Sequence, residues 1–195
     1  MNGVVDLGNM ILKPGDKVRF RCGRSGVCCS SGPNVSLTIF DVCRIARFKG
    51  VSWRELAGRY IYVVVADYLP IPVLRGIDNK CVFLEFKGKL PTCSIYPARP
   101  MRCRLFPFLP VSPGDPSRVS VSSICPSVGR GPLIDPPWNL LKLYYEEVKE
   151  SYRVLTRLIM EEGYEPVEAL EKALDEVCEN GESWHWDLED LEKVW

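Results

Sequence analysis

The 195-residue sequence has no glutamine, only one histidine and no net charge, because 25 basic residues balance 25 acidic ones. A chain without excess positive charge lacks the electrostatic signature of a nucleic-acid binder or of a polybasic membrane anchor. With His185 alone, a metal site cannot use the three-histidine or two-histidine-one-carboxylate ligand sets. We expect His185 to have an ordinary surface or packing role. We also expect no nucleic-acid or membrane partner, which leaves an unknown redox or protein partner.

Long hydrophobic runs are also absent. The most apolar run, residues 60–74, is interrupted by Asp67, Pro70 and Pro72 and is too short to span a bilayer. The first residues lack a basic segment leading into an apolar core, so we predict no signal peptide and a cytoplasmic location. Disulfides are uncommon in the cytoplasm, which favours metal or redox chemistry for a cysteine-rich chain. A lack of glutamine is typical of thermophiles, whose intracellular proteins do carry disulfides, so a disulfide-stapled protein without metal stays open.

Catalytic motifs are missing too, since there is no phosphate-binding glycine loop, dinucleotide fingerprint or serine-nucleophile elbow.

Cysteine is plentiful, with nine residues. Cys43 and Cys178 lie in predicted helices, where we expect small buried hydrophobic residues. Thiolate-rich sites select zinc, copper(I) or iron–sulfur clusters. The remaining seven cysteines, in predicted loops, turns and strand ends, are therefore candidate metal ligands: Cys22, Cys28, Cys29, Cys81, Cys93, Cys103 and Cys125.

Cys28 and Cys29 are neighbours in a loop rich in glycine and serine. Adjacent side chains point in different directions along an ordinary backbone, so we predict that these two thiols serve two metal atoms or two sites. Downstream, three arginines crowd the thiols of Cys93 and Cys103. Positive charge lowers the pKa of a thiol and offsets the negative charge of a thiolate-bound centre. These arginines are Arg99, Arg102 and Arg104.

Periodicity and capping signals predict the elements around the cysteines. Strands are predicted at residues 16–21, 81–86 and 118–125, and helices at 39–50, 52–60, 137–163 and 166–180, with a short one in the tail. Residues 60–66 fit either a buried strand or more helix. Six prolines between Tyr96 and Pro116 exclude a long helix there. The predicted fold is α+β: a small, irregular, cysteine-rich metal-binding core with short strands, flanking helices and C-terminal amphipathic helices. We predict a cysteine-cluster domain at residues 1–136 and a helical extension packed on it at 137–195.

Taken in order, several segments resemble the YkgJ-type cysteine-cluster family of zinc- or iron-chelating domains, often labelled iron–sulfur oxidoreductases. They are FRCGRSGVCC, LTIFDVCRIA, CVFLEF, CSIYPARPMRCRLFPF, and Cys125-Pro126 followed by Gly129 and Gly131. The resemblance covers about residues 20–131. It implies an iron–sulfur cluster or iron first and zinc second, and a redox or electron-transfer function. A structural zinc module that binds a partner through the C-terminal helices is the alternative.

One departure from the family concerns its opening motif, Cys-x-x-Cys-Gly-x-Cys-Cys. Here Ser25 stands where the second cysteine is expected. Eight cysteines suit two four-sulfur sites and this chain offers seven, so one site has an open or oxygen-ligated position, or Cys43 substitutes, or one site is lost. Asp41 belongs to the family pattern and follows Thr38 by three residues, which favours helix capping over a catalytic carboxylate.

Overall fold

The computed structural model describes residues 10–31, 34–112 and 114–179. The predicted tail helix and His185 lie outside these residues. The strands are β1 Ile11–Leu12, β2 Val18–Phe20, β3 Ile61–Ala66, β4 Leu69–Leu74, β5 Gly76–Ile77, β6 Lys80–Cys81, β7 Leu84–Lys87, β8 Leu90–Cys93, β9 Phe108–Pro110, β10 Val119–Val121 and β11 Val128–Ile134. The helices are α1 Val27–Ser30, α2 Ile39–Lys49, α3 Trp53–Leu56, α4 Met101–Leu105, α5 Trp138–Thr156 and α6 Pro166–Glu179.

Two short irregular turns complete these elements. A 3-10 turn spans Tyr96–Ala98, and α5 continues into a π-helical turn at Arg157–Glu161. All strand pairs are antiparallel: β1-β10-β9 form a three-stranded sheet, and β2 pairs with β11, β3 with β4, β5 with β6, and β7 with β8. The predicted α+β class is confirmed.

Local capping chemistry sets the helix ends as predicted. The Thr38 hydroxyl accepts from the Asp41 amide at 3.0 Å, and the Asp41 carboxylate accepts from the Thr38 amide at 3.1 Å. This capping box starts α2, and Gly50, with a left-handed φ of 66°, ends it. Ser52 and Glu55 likewise start α3, but α3 ends at Leu56 rather than near residue 60 because the chain becomes extended at Ala57.

The structure decides one open alternative in the middle of the chain and corrects two expectations. Residues 61–66 form strand β3, which pairs with β4, but this strand is exposed beyond Ile61 rather than buried. The predicted strand 81–86 is split into β6 and β7, since the chain turns at Val82 and Phe83 to bury the Phe83 ring. Cysteines that we expected in loops lie instead in short helices, namely Cys28 and Cys29 in α1 and Cys103 in α4.

The apolar core consists of two clusters. The first packs α2, α3 and α6 against the end of α5, together with Cys81, Phe83 and Ile95. The second packs the β1-β10-β9 sheet and the β2-β11 pair against α4 and the start of α5. Helix α5 contributes Leu140 and Leu141 to the second cluster and Val154 and Leu155 to the first. The predicted boundary at residue 136 stays a prediction. None of the described helices combines the length and apolar character needed to cross a membrane.

Helix α6 is attached to α2 by a covalent bond. Cys43 and Cys178 form a disulfide with a Cα–Cα distance of 5.1 Å, so the expectation that both are plain buried hydrophobic residues was wrong. The physical reason is that α2 and α6 pack side by side, which brings two thiols together that are 135 residues apart in sequence. The Trp53 indole, which donates to Asp175 Oδ1 at 2.9 Å, also holds α6.

Candidate metal centre

Five of the seven candidate ligands lie in one neighbourhood, here called the five-thiol group: Cys28, Cys29, Cys81, Cys93 and Cys103. Burial is the main cause that raises the pKa of Cys81, Cys93 and Cys103, and neighbouring thiols of the group raise it further. Cys81 belongs to the first core cluster, Cys29, Cys93 and Cys103 pack against it, and the Cys28 sulfur lies 3.7 Å from that of Cys29, so the five thiols share one region of the fold. The structure therefore gathers thiols that lie up to 75 residues apart, between Cys28 and Cys103.

The short helix α1 presents two of these thiols, and its glycine explains how. Gly26 has a left-handed φ of 74°, and a Cβ at this position would lie 2.6 Å from Cβ of Pro91. Glycine is therefore required both for the turn and for the close approach of α1 to β8. Ser25, which replaces the family cysteine, accepts at its hydroxyl from the Val27 amide at 3.5 Å. Its oxygen thus lies at the start of α1, close to Cys28 in sequence.

The adjacent thiols of Cys28 and Cys29 do not point apart as we expected. Both residues lie in the short helix α1, where their Sγ atoms are 3.7 Å apart. The two thiols share a hydrogen bond in which either sulfur can donate, and this contact lowers the pKa of Cys28 to about 7 and raises that of Cys29. Two sulfurs on one tetrahedral ion, with bonds of about 2.3 Å, are roughly 3.8 Å apart. The pair therefore also fits a shared ion, and the assignment of the two thiols to two metals stays a prediction.

The three arginines have different positions. The Arg99 guanidinium lies 4.1 Å from the Tyr96 ring centre. Its charge contributes to the lowered pKa of Cys28 and partly offsets the burial that raises the pKa of Cys93. Arg104 is buried, donates from Nε to the Arg99 carbonyl at 3.0 Å and also donates to the Pro97 carbonyl. Arg102 donates to the Ser36 hydroxyl at 3.1 Å. Arg99 thus acts on the thiols, whereas Arg104 fixes the proline-rich backbone.

The other two candidate ligands flank the β2-β11 strand pair. Cys22 follows β2 and Cys125 precedes β11, and these strands pair, with Phe20 opposite Val128. The amide of Gly23 donates to the Ser127 hydroxyl at 3.1 Å, which ties the two cysteine-bearing loops together. Cys125 packs against the second core cluster, whereas Cys29, Cys93 and Cys103 pack against the first. Cys22 and Cys125 thus flank a strand pair of the second core cluster, whereas the five-thiol group adjoins the first cluster.

Asp41 connects two helices near the five-thiol group. It is 1% exposed, and its carboxylate accepts from the Thr38 amide and also from the Met101 amide, at 3.0 Å, where α4 begins. The predicted capping function is confirmed, and it extends to the helix that carries Cys103.

The sequence also contained a signal that we missed: Glu147 lies three residues after Tyr144, on the apolar face of α5, and is fully buried against Arg44.

The donor chemistry of the five-thiol group fits zinc or iron, since all its candidate ligands are sulfur and two are already at a distance that suits one ion. Among residues 10–31, 34–112 and 114–179, no three histidine, cysteine, aspartate or glutamate side chains converge tightly enough to enclose an ion. Metal binding would therefore require the side chains of Cys81, Cys93 or Cys103 to turn toward the Cys28–Cys29 pair.

The low pKa of Cys28 predicts its reactivity in the metal-free protein. At pH 7 about half of Cys28 should be thiolate, so iodoacetamide should modify it at least about tenfold faster than Cys93. Mass spectrometry of the labelled peptides against pH should give a midpoint near 7 for Cys28. Cys29→Ala removes the hydrogen-bond partner of Cys28 and should move this midpoint upward, whereas Cys22→Ala should not. An unchanged midpoint in Cys29→Ala would contradict the hydrogen-bond explanation.

Comparison with known proteins agrees with this donor set. The model of a family described as "Putative zinc- or iron-chelating domain", named for its CxxCxxCC motif, matches residues 21–126, more than half of the chain. The chain belongs to this family, and the predicted family is confirmed. An uncharacterized protein of Methanocaldococcus jannaschii is 33% identical over 91 residues, which cover 47% of this chain and 46% of that protein. The match thus spans about half the length of this relative. No solved structure matches the chain.

Proposed function

We propose that the protein holds an iron–sulfur cluster through its clustered cysteines and transfers electrons. The observation that supports this proposal is the five-thiol group, in which five candidate sulfur ligands share one region of the fold, while the whole chain has one histidine. Soft sulfur ligands favour iron–sulfur clusters, copper(I) and zinc, and the family is described as zinc- or iron-chelating. When bound, an iron–sulfur cluster supplies electron transfer.

The surrounding residues would tune such a centre. Arg99 would offset the negative charge of bound thiolates, in the same way that it favours the thiolate of Cys28 in the free protein. The buried side chains of Phe83 and Ile95 follow Cys81 and Cys93 in sequence and keep water away from one side. Cys28 is exposed, so its side of the five-thiol group is where we propose that a redox partner protein approaches.

Metal analysis of protein purified without oxygen tests the proposal. We expect iron, acid-labile sulfide and a broad absorption band near ~400 nm. Cys103→Ser should lose most of the iron that belongs to the five-thiol group. Cys125→Ser is the matched comparison, and it should leave that share of the iron in place, because Cys125 packs against the other core cluster. Colourless protein without iron or sulfide after anaerobic reconstitution would rule out the iron–sulfur function.

A structural zinc module is the second candidate, favoured by the 3.7 Å separation of the Cys28 and Cys29 sulfurs. In that case purified protein should contain zinc in simple proportion and no colour. A strong chelator should lower its melting temperature, because the free energy of zinc binding is then part of the folding free energy. A thermal transition that does not change on chelation would exclude this candidate.

A further inference from the structure

A cavity of about 280 Å³ lies between strand β4, helix α4 and helix α5. Most of its wall is apolar, and proline and aliphatic side chains dominate: Leu37, Pro70, Pro72, Pro110, Val148 and Leu155. Small-molecule sites typically range from roughly 300 to 1,000 Å³ and combine an apolar wall with a few polar groups. The cavity is therefore at the small end of this range, and its polar groups decide what it can bind.

The only lysine or arginine among the described residues that line the cavity is Arg102. Its Nη1 donates to the Ser36 hydroxyl at 3.1 Å, and Ser36 also lines the cavity. Arg102 takes part in none of the ion pairs found within the described residues. Its guanidinium, which offers several donors in a planar fork, is thus available for an anion.

A buried hydroxyl without a partner provides a second, independent observation. Ser151 on α5 lines the cavity and is 5% exposed, yet its Oγ has no hydrogen-bond partner among the described residues. Such a hydroxyl costs free energy, because its hydrogen bonds to water are lost on folding and are not replaced. The hydroxyl oxygen has almost no exposed surface, so the Ser151 side chain would turn toward the cavity to donate to a ligand oxygen there.

We propose that this cavity binds a small organic monocarboxylate with an apolar body. Arg102 and the hydroxyl of Ser151 would hold the carboxylate, and the proline-lined wall would hold the apolar part. One arginine balances one negative charge, which argues against a dianion such as phosphate as the preferred ligand. Arg102 precedes Cys103 on α4, but the proposal does not depend on a bound metal.

The test uses the metal-free full chain with benzoate as the probe and benzamide as its uncharged analogue. Isothermal titration should show saturable binding of benzoate and at least about tenfold weaker binding of benzamide. Arg102→Gln should weaken benzoate binding by about tenfold or more, and Arg102→Lys, which keeps the charge but not the planar fork, by less. Arg47→Gln, an exposed position at the end of α2, is the matched control and should bind like the parent protein.

Ser151→Ala separates binding from structural stability. Because it removes an unpartnered buried hydroxyl, it should raise the melting temperature while it weakens benzoate binding several-fold. The proposal is overturned if benzoate does not saturate up to about 10 mM, if benzamide binds equally well, or if both Arg102 variants keep the parent affinity. Iron and zinc content, measured on separate samples, tests the metal proposal, so that the two proposals can fail independently.

Discussion

Replacing Glu147 with alanine is expected to lower the free energy of unfolding by about 3–5 kcal/mol, because a buried charge loses one of its two partners. Arg44 is 8% exposed and donates to both oxygens of Glu147 and, at 2.5 Å, to Asp41. Although burial opposes its charge, the two carboxylates raise the pKa of Arg44, so it stays protonated. The Thr38 hydroxyl donates to the same Glu147 carboxylate at 3.0 Å. Losing Glu147 leaves both donors without this acceptor.

Urea denaturation measures this effect, and Glu146→Ala is the matched control. Glu146 is the exposed neighbour on the same helix, so its replacement should change the free energy of unfolding by at most about 0.5 kcal/mol. The double variant Arg44→Met/Glu147→Leu should be less destabilised than the sum of its single variants, because it leaves no buried charge unpaired between these two positions. If Glu147→Ala is as stable as Glu146→Ala, the buried ion pair does not stabilise the fold.

The same substitution should affect the five-thiol group. Asp41 holds the Met101 amide at the start of α4, and Arg44 positions Asp41. Loss of Glu147 therefore loosens the helix that carries Cys103. We expect faster alkylation of Cys103 in Glu147→Ala than in the Glu146→Ala control, at a urea concentration where both remain folded.

Removing the disulfide is expected to have the second large effect. Cys43 and Cys178 close a loop of 135 residues, for which the chain-entropy model gives about 5 kcal/mol, while measured losses are commonly about 2–5 kcal/mol. Cys43→Ala/Cys178→Ala should therefore unfold at a clearly lower urea concentration than the parent protein. The physical reason is that the unfolded chain gains the freedom which the crosslink removes.

Two controls identify the cause. A reductant should destabilise the parent protein and leave the double variant unchanged. Alkylation of the unfolded, unreduced protein should modify seven cysteines, and reduction should increase this to nine. The seven free thiols argue against a protein stapled by disulfides alone, although one disulfide is present. Modification of all nine cysteines before reduction would contradict the disulfide.

Features that depend on neighbours in sequence could be predicted from the sequence. The capping box of Thr38 and Asp41 places the start of α2 because it involves residues three positions apart. Apolar periodicity predicted α5, and Pro166 predicted the start of α6. The cysteine-rich motifs predicted the family because they keep their order along the chain. These signals are local, so one sequence is enough to recognise them.

Only the tertiary structure decided which distant residues meet. The Cys43–Cys178 disulfide and the Arg44–Glu147 ion pair join residues more than 100 positions apart, and no local pattern specifies such partners. The same holds for which cysteines adjoin which core cluster, since this depends on how the strand pairs and α4 pack. The sequence by itself determined that sulfur is the available metal ligand; packing decided which sulfurs lie together, because burial and contact are properties of the whole fold.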